Sequence, residues 1–224
     1  MKTKITDYNG AASKIQQACT KEWAELEDAL KSLPSYLKSS DQAGIQGRPI
    51  FDPIATNAFM RSYLERKGWK TKIPIPTKYR FLGTDIDLGR SGIIVEVQFS
   101  NYPFLLNNVL RSELFYKMEV EVDSKKTKLV IIITKGHIFP ASNSTLYYEQ
   151  AKNQMDELAA HNVFAVPTRL VGLMTPTGKN LPAVWTTYKD PRYSRTITTQ
   201  KNIRCDISPG RSEKSRSSIT IHKV

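Results

Sequence analysis

The run T-D-I-D-L-G-R-S-G-I-I-V-E-V-Q-F-S-N-Y, Thr84 to Tyr102, decides how the rest of the chain is arranged. It predicts two short strands around a Gly89–Gly92 turn, because β-branched residues crowd its second half and glycines permit a tight reversal. Successive side chains of a strand point to opposite faces. Val95, Val97 and Phe99 therefore share one face, and Glu96 and Gln98 the other. The apolar set wants a core. Glu96 and Gln98 then lie on a segment hydrophobic enough to be largely buried, with Asp87 across the turn. A buried carboxylate is costly unless it is paired or binds a cation. An Asp and a Glu converging from adjacent strands make a hard, all-oxygen site suited to Mg2+. A plain hairpin with its carboxylates in water has the same spacing, so the motif alone leaves both readings open.

A chain of 224 residues can bury one sizeable core, which predicts a single domain over 1–224 with at most a small appended subdomain. Thirty-three Lys and Arg against 21 Asp and Glu leave a formal charge of +12, with a pI near 9.6. Such a surplus predicts a polyanionic partner, nucleic acid or an anionic membrane; a merely soluble basic protein is the plain alternative. A membrane is disfavoured, since the longest apolar run, Leu129 to Ile133, falls far short of the ~20 residues a span needs. No apolar segment follows Met1-Lys2-Thr3-Lys4, so no secretory signal is expected. Cys19 and Cys205 stand alone, without zinc-type spacing, which suits a reducing cytoplasm. His137, His161 and His222 are scattered, against a histidine-rich metal site.

Around the central run, Ile15, Cys19, Trp23, Leu26, Leu30 and Leu33 recur at steps of three and four and predict one amphipathic helix stopped by Pro34. Ser39 to Pro49 reads as a loop. Asp52-Pro53 supplies an N-cap and a first-turn proline for a second helix with Phe59, Tyr63 and Leu64 inward and Gly68 as its stop. Lys70, Lys72, Lys78, Arg80 and Arg90 surround the hairpin, either as solvated charges or as a rim for a phosphate backbone. Ser100 and Pro103 open a third helix whose inward stripe reads as Leu106, Leu110, Leu114 and Met118. Lys128 to Thr134 is a β-branched run suited to a central strand buried on both faces. A helix between two such strands is the crossover of a mixed α/β sheet. Ser144 can cap a fourth helix with Leu146, Ala151, Met155, Leu158 and Ala159 inward, and Arg169 to Met174 reads as a further strand. Taken alone, Asn143 and Ser144 read as turn and capping residues. From Val184 the texture changes to short β segments between basic turns, with nine Lys and Arg against three acids from Lys189 to Val224. Thr and Ile alternation there favours a small β subdomain over 184–224 rather than a flexible tail.

Four blocks carry a resemblance: F-L-G-T-D-I-D from Phe81, V-E-V-Q-F-S-N-Y-P-F-L-L-N-N from Val95, I-I-I-T-K-G-H-I-F-P-A-S-N-S from Ile131, and R-Y-S-R-T-I-T from Arg192. In this order they resemble the BglII-like group of type II restriction endonucleases, over a stretch running from Lys4 to about Thr198. The resemblance implies a restriction-endonuclease-like core, a mixed sheet flanked by helices, with a β-rich subdomain. It implies Mg2+ held by Asp87, Glu96 and the Val97 carbonyl, and Gln98 where the wider superfamily usually has lysine. An amide there orients water or phosphate but carries no charge. Asparagine precedes I-P-I-P in the group, whereas this chain has Lys72 there; the lysine either supplies a catalytic cation or points into solvent. Base reading is implied for Ser100, Asn101, Asn143, Ser144, Tyr193 and Arg195, with Pro191 where the group has lysine. Such enzymes are homodimers on a palindrome of double-stranded DNA. The expected activity is Mg2+-dependent cleavage of a GATC-centred hexamer such as AGATCT. Its rivals are a structure-specific or repair nuclease of the same fold, a non-catalytic DNA-binding protein and, more remotely, an RNA-binding module.

Overall fold

In a computed structural model, residues 1–99, 101–141, 146–190, 195–210 and 216–222 are described. Their elements run β1 (Lys2–Tyr8), α1 (Ala11–Ala18), α2 (Thr20–Ser32), β2 (Tyr36–Ser39), β3 (Pro49–Phe51), α3 (Pro53–Glu65), β4 (Lys70–Pro74), β5 (Asp85–Arg90) and β6 (Ile93–Val97). There follow α4 (Pro103–Lys117), β7 (Glu121–Val122), β8 (Lys125–Lys126), β9 (Leu129–Lys135), α5 (Tyr148–Ala160), β10 (Thr168–Met174), β11 (Gly178–Tyr188), β12 (Ile197–Ser208) and β13 (Ser218–Ile221).

The β-branched run at 128–134 forms β9, in which every residue is buried. Its side chains divide as a two-faced central strand requires. Leu129, Ile131 and Ile133 join a cluster with α1, α2 and α3, while Val130 and Ile132 join one with α4 and α5. Strands β6, β9 and β10 are parallel, and antiparallel neighbours extend the sheet to the order β1-β10-β9-β6-β5-β4. This is the expected mixed sheet between helical layers, with α4 as the crossover from β6 to β9.

The predicted hairpin is present, closed by Ser91 and Gly92, both at positive φ (48° and 81°), as a two-residue reversal between right-twisted strands requires. A Cβ on Gly92 would run into the Lys126 carbonyl, so the turn needs glycine twice over. Asp52 caps α3 as expected, accepting the backbone N–H groups of Ile54 (3.0 Å) and Ala55 (3.2 Å). The same buried carboxylate accepts the Tyr188 hydroxyl at 2.7–2.8 Å, joining α3 to the end of β11.

Several expectations need correction. The first helix is two, α1 and α2, interrupted at Cys19 (φ −143°, ψ 20°). Thr20 donates its hydroxyl back to the Ile15 and Gln16 carbonyls (3.2 and 3.0 Å), supplying partners that a continuing helix would have given. Helix α4 starts at Tyr102 without a side-chain cap, and α5 at Tyr147, beyond Ser144. The buried residues of α4 are Leu105, Asn108, Val109, Arg111, Ser112, Glu113 and Phe115. Leu106, Leu110 and Met118 of the expected stripe are exposed instead, alongside Phe104 and Tyr102. The loop read from Ser39 to Pro49 is present over 40–48; the strands that flank it, β2 and β3, are the unexpected part and join the second sheet, ordered β13-β12-β11-β2-β3. That sheet, with its own small core around Leu37, Ala183, Cys205 and Ile207, begins at Gly178 and borrows two strands from near the N-terminus.

Candidate active site

Asp87 on β5 and Glu96 on β6 flank the Leu88–Val95 pair of the hairpin ladder, which brings both carboxylates together on two neighbouring interior strands of the sheet. Asp87 Oδ2 accepts the Val97 N–H at 3.0 Å, so the Asp87 side chain reaches across to the neighbouring strand. The regular alternation breaks here. Ile86 packs with the α4–α5 cluster and Leu88 with the opposite one. On the far side of β5, pairs Thr71–Leu88 and Ile73–Ile86 enclose Lys72 and Asp87, which are themselves unpaired in the ladder. Lys72 has φ 48°, a left-handed conformation that costs a non-glycine residue about 1 kcal/mol.

Each carboxylate has an arginine that sequence reading did not assign. Arg61 of α3 donates from Nη2 to Asp87 Oδ1 at 2.9 Å. Arg111 of α4 donates from Nη2 to Glu96 Oε1 at 2.5 Å and to Asn108 Oδ1 at 3.1 Å, and from Nη1 to the Leu82 carbonyl at 3.2 Å. Asn108 in turn donates to Gln98 Oε1 at 3.3 Å, and Gln98 Nε2 to the Asn101 carbonyl at 3.5 Å. Asn108 and Arg111, three residues apart, share the helix face that meets Glu96 and Gln98. The signal was there in N-N-V-L-R, where polar residues interrupt an apolar helix at that spacing, but a buried carboxylate had to be in place to select that face. Gly83 makes room: a Cβ there would lie 2.6 Å from Arg111 Nη1, and its φ of +135° suits glycine.

Burial pushes Glu96 up to about 7; Arg111 opposes that rise and Asp87 adds to it. A raised carboxylate takes up its proton in the folded state first, so this group favours folding below the ordinary 4.5 and loses that contribution as pH rises through about 7. Glu96→Gln, which carries no titrating group, should therefore flatten the fall in stability over that interval by an amount on the order of 3 kcal/mol. Denaturant midpoints across pH 4–8 read the difference; parallel wild-type and variant curves would refute it.

Among the remaining candidates, Lys72 is exposed. Asparagine tolerates the left-handed region better than lysine, so the backbone alone gives a reason for the asparagine found there in the BglII-like group. Of the expected basic rim, Lys70, Lys78 and Arg80 are exposed with Lys72. Arg90 is not part of it: it is spent on Glu25 at 2.6 Å and on the Lys67 carbonyl. Asn101 and Arg195 are exposed. Ser100, Asn143, Ser144 and Tyr193 lie outside the described residues.

Lys135, unremarked in the sequence, is buried at the end of β9, with Nζ donating to the Phe99 carbonyl (2.7 Å) and the Leu146 carbonyl (3.4 Å). It thus ties the segment after β6 to the approach to α5, and burial, aided by Arg216, lowers its pKa to about 7. A cleft of about 870 Å³ lined by Arg48, His137, Ala141 and Arg216 lies nearby, apart from the carboxylates.

The family described as restriction endonuclease BglII/BglIII matches residues 3–173. The type II restriction enzyme BglII of Bacillus subtilis is 53% identical over 204 residues, 91% of this chain and 90% of that enzyme. Among solved structures, restriction endonuclease BglII complexed with a DNA 16-mer superposes with a TM-score of 0.93 at 49% identity, covering 99% of this chain and 100% of the other. Free BglII, at 45% identity and with the same coverage, superposes with a TM-score of 0.75. With a matching sheet, a matching order of blocks and 53% identity over the aligned residues, the chain belongs to the BglII/BglIII family of restriction endonucleases, enzymes that cut DNA at specific sequences.

Proposed function

We propose that this endonuclease cuts both strands of a GATC-centred palindrome, AGATCT, as a homodimer using Mg2+. The observation that carries the reading is the meeting of Asp87 and Glu96 on the adjacent strands β5 and β6, each already matched to an arginine. Enzymes of this class generally use a divalent metal ion. The donors here fit a hard one: two carboxylates and the Val97 carbonyl offer oxygen alone. No group of three or more His, Cys, Asp and Glu converges among the described residues, so water and DNA oxygens would fill the remaining positions. When bound, the ion lowers the pKa of a water and screens the phosphate charge. Asp87 and Glu96 fix its place, and Arg111 keeps Glu96 oriented. Gln98, held by Asn108, presents an amide that aligns water or phosphate by hydrogen bonds without taking a proton.

Target reading is assigned to Ser100, Asn101, Asn143, Ser144, Tyr193 and Arg195. Asparagine suits adenine, arginine suits guanine, and serine serves either. The charge of +12 supports a duplex partner. So does the likeness to a relative solved on a DNA 16-mer. The second sheet with segment 184–224 is read as the DNA-contacting subdomain of one nuclease domain. No helix among the described residues is long and apolar enough to cross a membrane. The unpaired cysteines, both buried, fit a cytoplasmic setting.

A sequenced plasmid digested with Mg2+ tests the reading: fragments should map to AGATCT, and chelation should stop cutting. Cuts scattered without a common sequence would favour the structure-specific rival.

Dimer formation has its own support. Leu106 and Leu110 on α4, with Met118 at its C-cap, are exposed apolar residues at steps of four or eight, a surface that two-fold pairing would cover. Leu110→Glu is expected to halve the sedimenting mass and to lose concerted double-strand cutting. An unchanged dimer would move the interface elsewhere.

A further inference from the structure

The two arginines of the site are not equivalent. The Arg111 side chain is 7% exposed and is fixed by three acceptors. The Arg61 side chain is 31% exposed, and its bond to Asp87 Oδ1 is its tie among the described residues. Arg111 is structure; Arg61 is able to move. Gln98 carries no charge, and Arg61 is the cation that touches Asp87.

We propose that Arg61 serves two anions in turn, first Asp87 and then, when a metal ion takes that carboxylate, a phosphate of the DNA being cut. The inference rests on Asp87 being a metal ligand. Asp87, Glu96 and the nearby Asp85 face the cations Arg61 and Arg111, and a divalent cation seated on Asp87 takes the anion that Arg61 pairs with and places like charge beside it. A guanidinium cannot relieve that repulsion by losing its proton. It must find another anion, and the phosphodiester is the one that the reaction brings to the same place. The planar fork of arginine matches two phosphate oxygens, and its exposed position lets it turn without unpacking α3. Arg61 would thus keep the carboxylate paired until DNA and metal arrive together.

Two measurements on the full-length protein test this. The first is Mn2+ binding without DNA, followed by the electron paramagnetic resonance of the free ion. Arg61→Met should bind Mn2+ about 2- to 5-fold more tightly, because a competing partner of a partly exposed pair is gone. The second is single-turnover cleavage at saturating Mg2+, which should slow by about 10²-fold, with Arg61→Lys intermediate. Unchanged or weaker Mn2+ binding, or a cleavage rate within about twofold of wild type, overturns the proposal. Arg61→Lys keeps the charge and carries the same comparison should Arg61→Met prove unstable. Asp87→Asn separates the two levels. If it binds Mn2+ as wild type does, the metal-site reading fails; if it loses Mn2+ while Arg61→Met changes nothing, only the exchange fails.

Discussion

Asp87→Asn is expected to leave binding of the cognate duplex close to wild type and to slow cleavage by about 10³-fold or more, the scale of several kcal/mol that metal-ion catalysis contributes. The substitution keeps the size of the side chain and an oxygen able to accept the Val97 N–H, so the hairpin should hold. It removes the charge that a divalent ion needs. It also strands Arg61, but that group is partly exposed and can turn to water, so the stability change should stay within about 1 kcal/mol. Binding measured in Ca2+ and single-turnover cleavage in Mg2+ separate these effects. Near-normal cutting would remove Asp87 from the chemistry; lost binding together with lost cutting would make it a structural residue.

Arg111→Met is expected to destabilise the protein by about 3–5 kcal/mol at alkaline pH, where Glu96 is ionised, because it leaves that carboxylate buried without its counter-ion. Methionine fills much of the same volume and removes a buried Nε that has no hydrogen-bond partner, so packing loss is the smaller part. Glu96, already pushed up to about 7 by burial, would rise further and lie protonated at neutral pH, so metal binding should weaken as well. The double variant Arg111→Met/Glu96→Gln should regain much of the lost stability, since no charge is then buried alone. Denaturant unfolding at one fixed protein concentration is the measurement, so that any self-association enters every midpoint equally. If Arg111→Met costs less than about 1 kcal/mol, the ion pair does not organise this side of α4.

The difference between Asp87 and Arg111 shows where the sequence stops being informative. Asp87 and Glu96 could be read from the chain because a hairpin is local: glycines mark its reversal, and strand alternation tells which residues share a face. Their arginines lie 26 and 15 residues away and arrive on helices that pack on opposite sides of the sheet. In α4 the polar pair Asn108 and Arg111 hints at a polar contact, but nothing within α3 or α4 says which carboxylate each arginine meets.

Helix α4 makes the point most sharply. The sequence by itself determined that a helix stands there and that it carries apolar residues at steps of four. It carries two such stripes, however, and period alone cannot rank them. The tertiary structure chose the one that includes Asn108 and Arg111, because a buried Glu96 needs a counter-ion more than the core needs Leu110. The same limit hid the first strands of the second sheet. The four residues of β2 and the three of β3 are too short to show alternation, and they are strands only because each finds its partner, β11 and β2 respectively, to hydrogen-bond with.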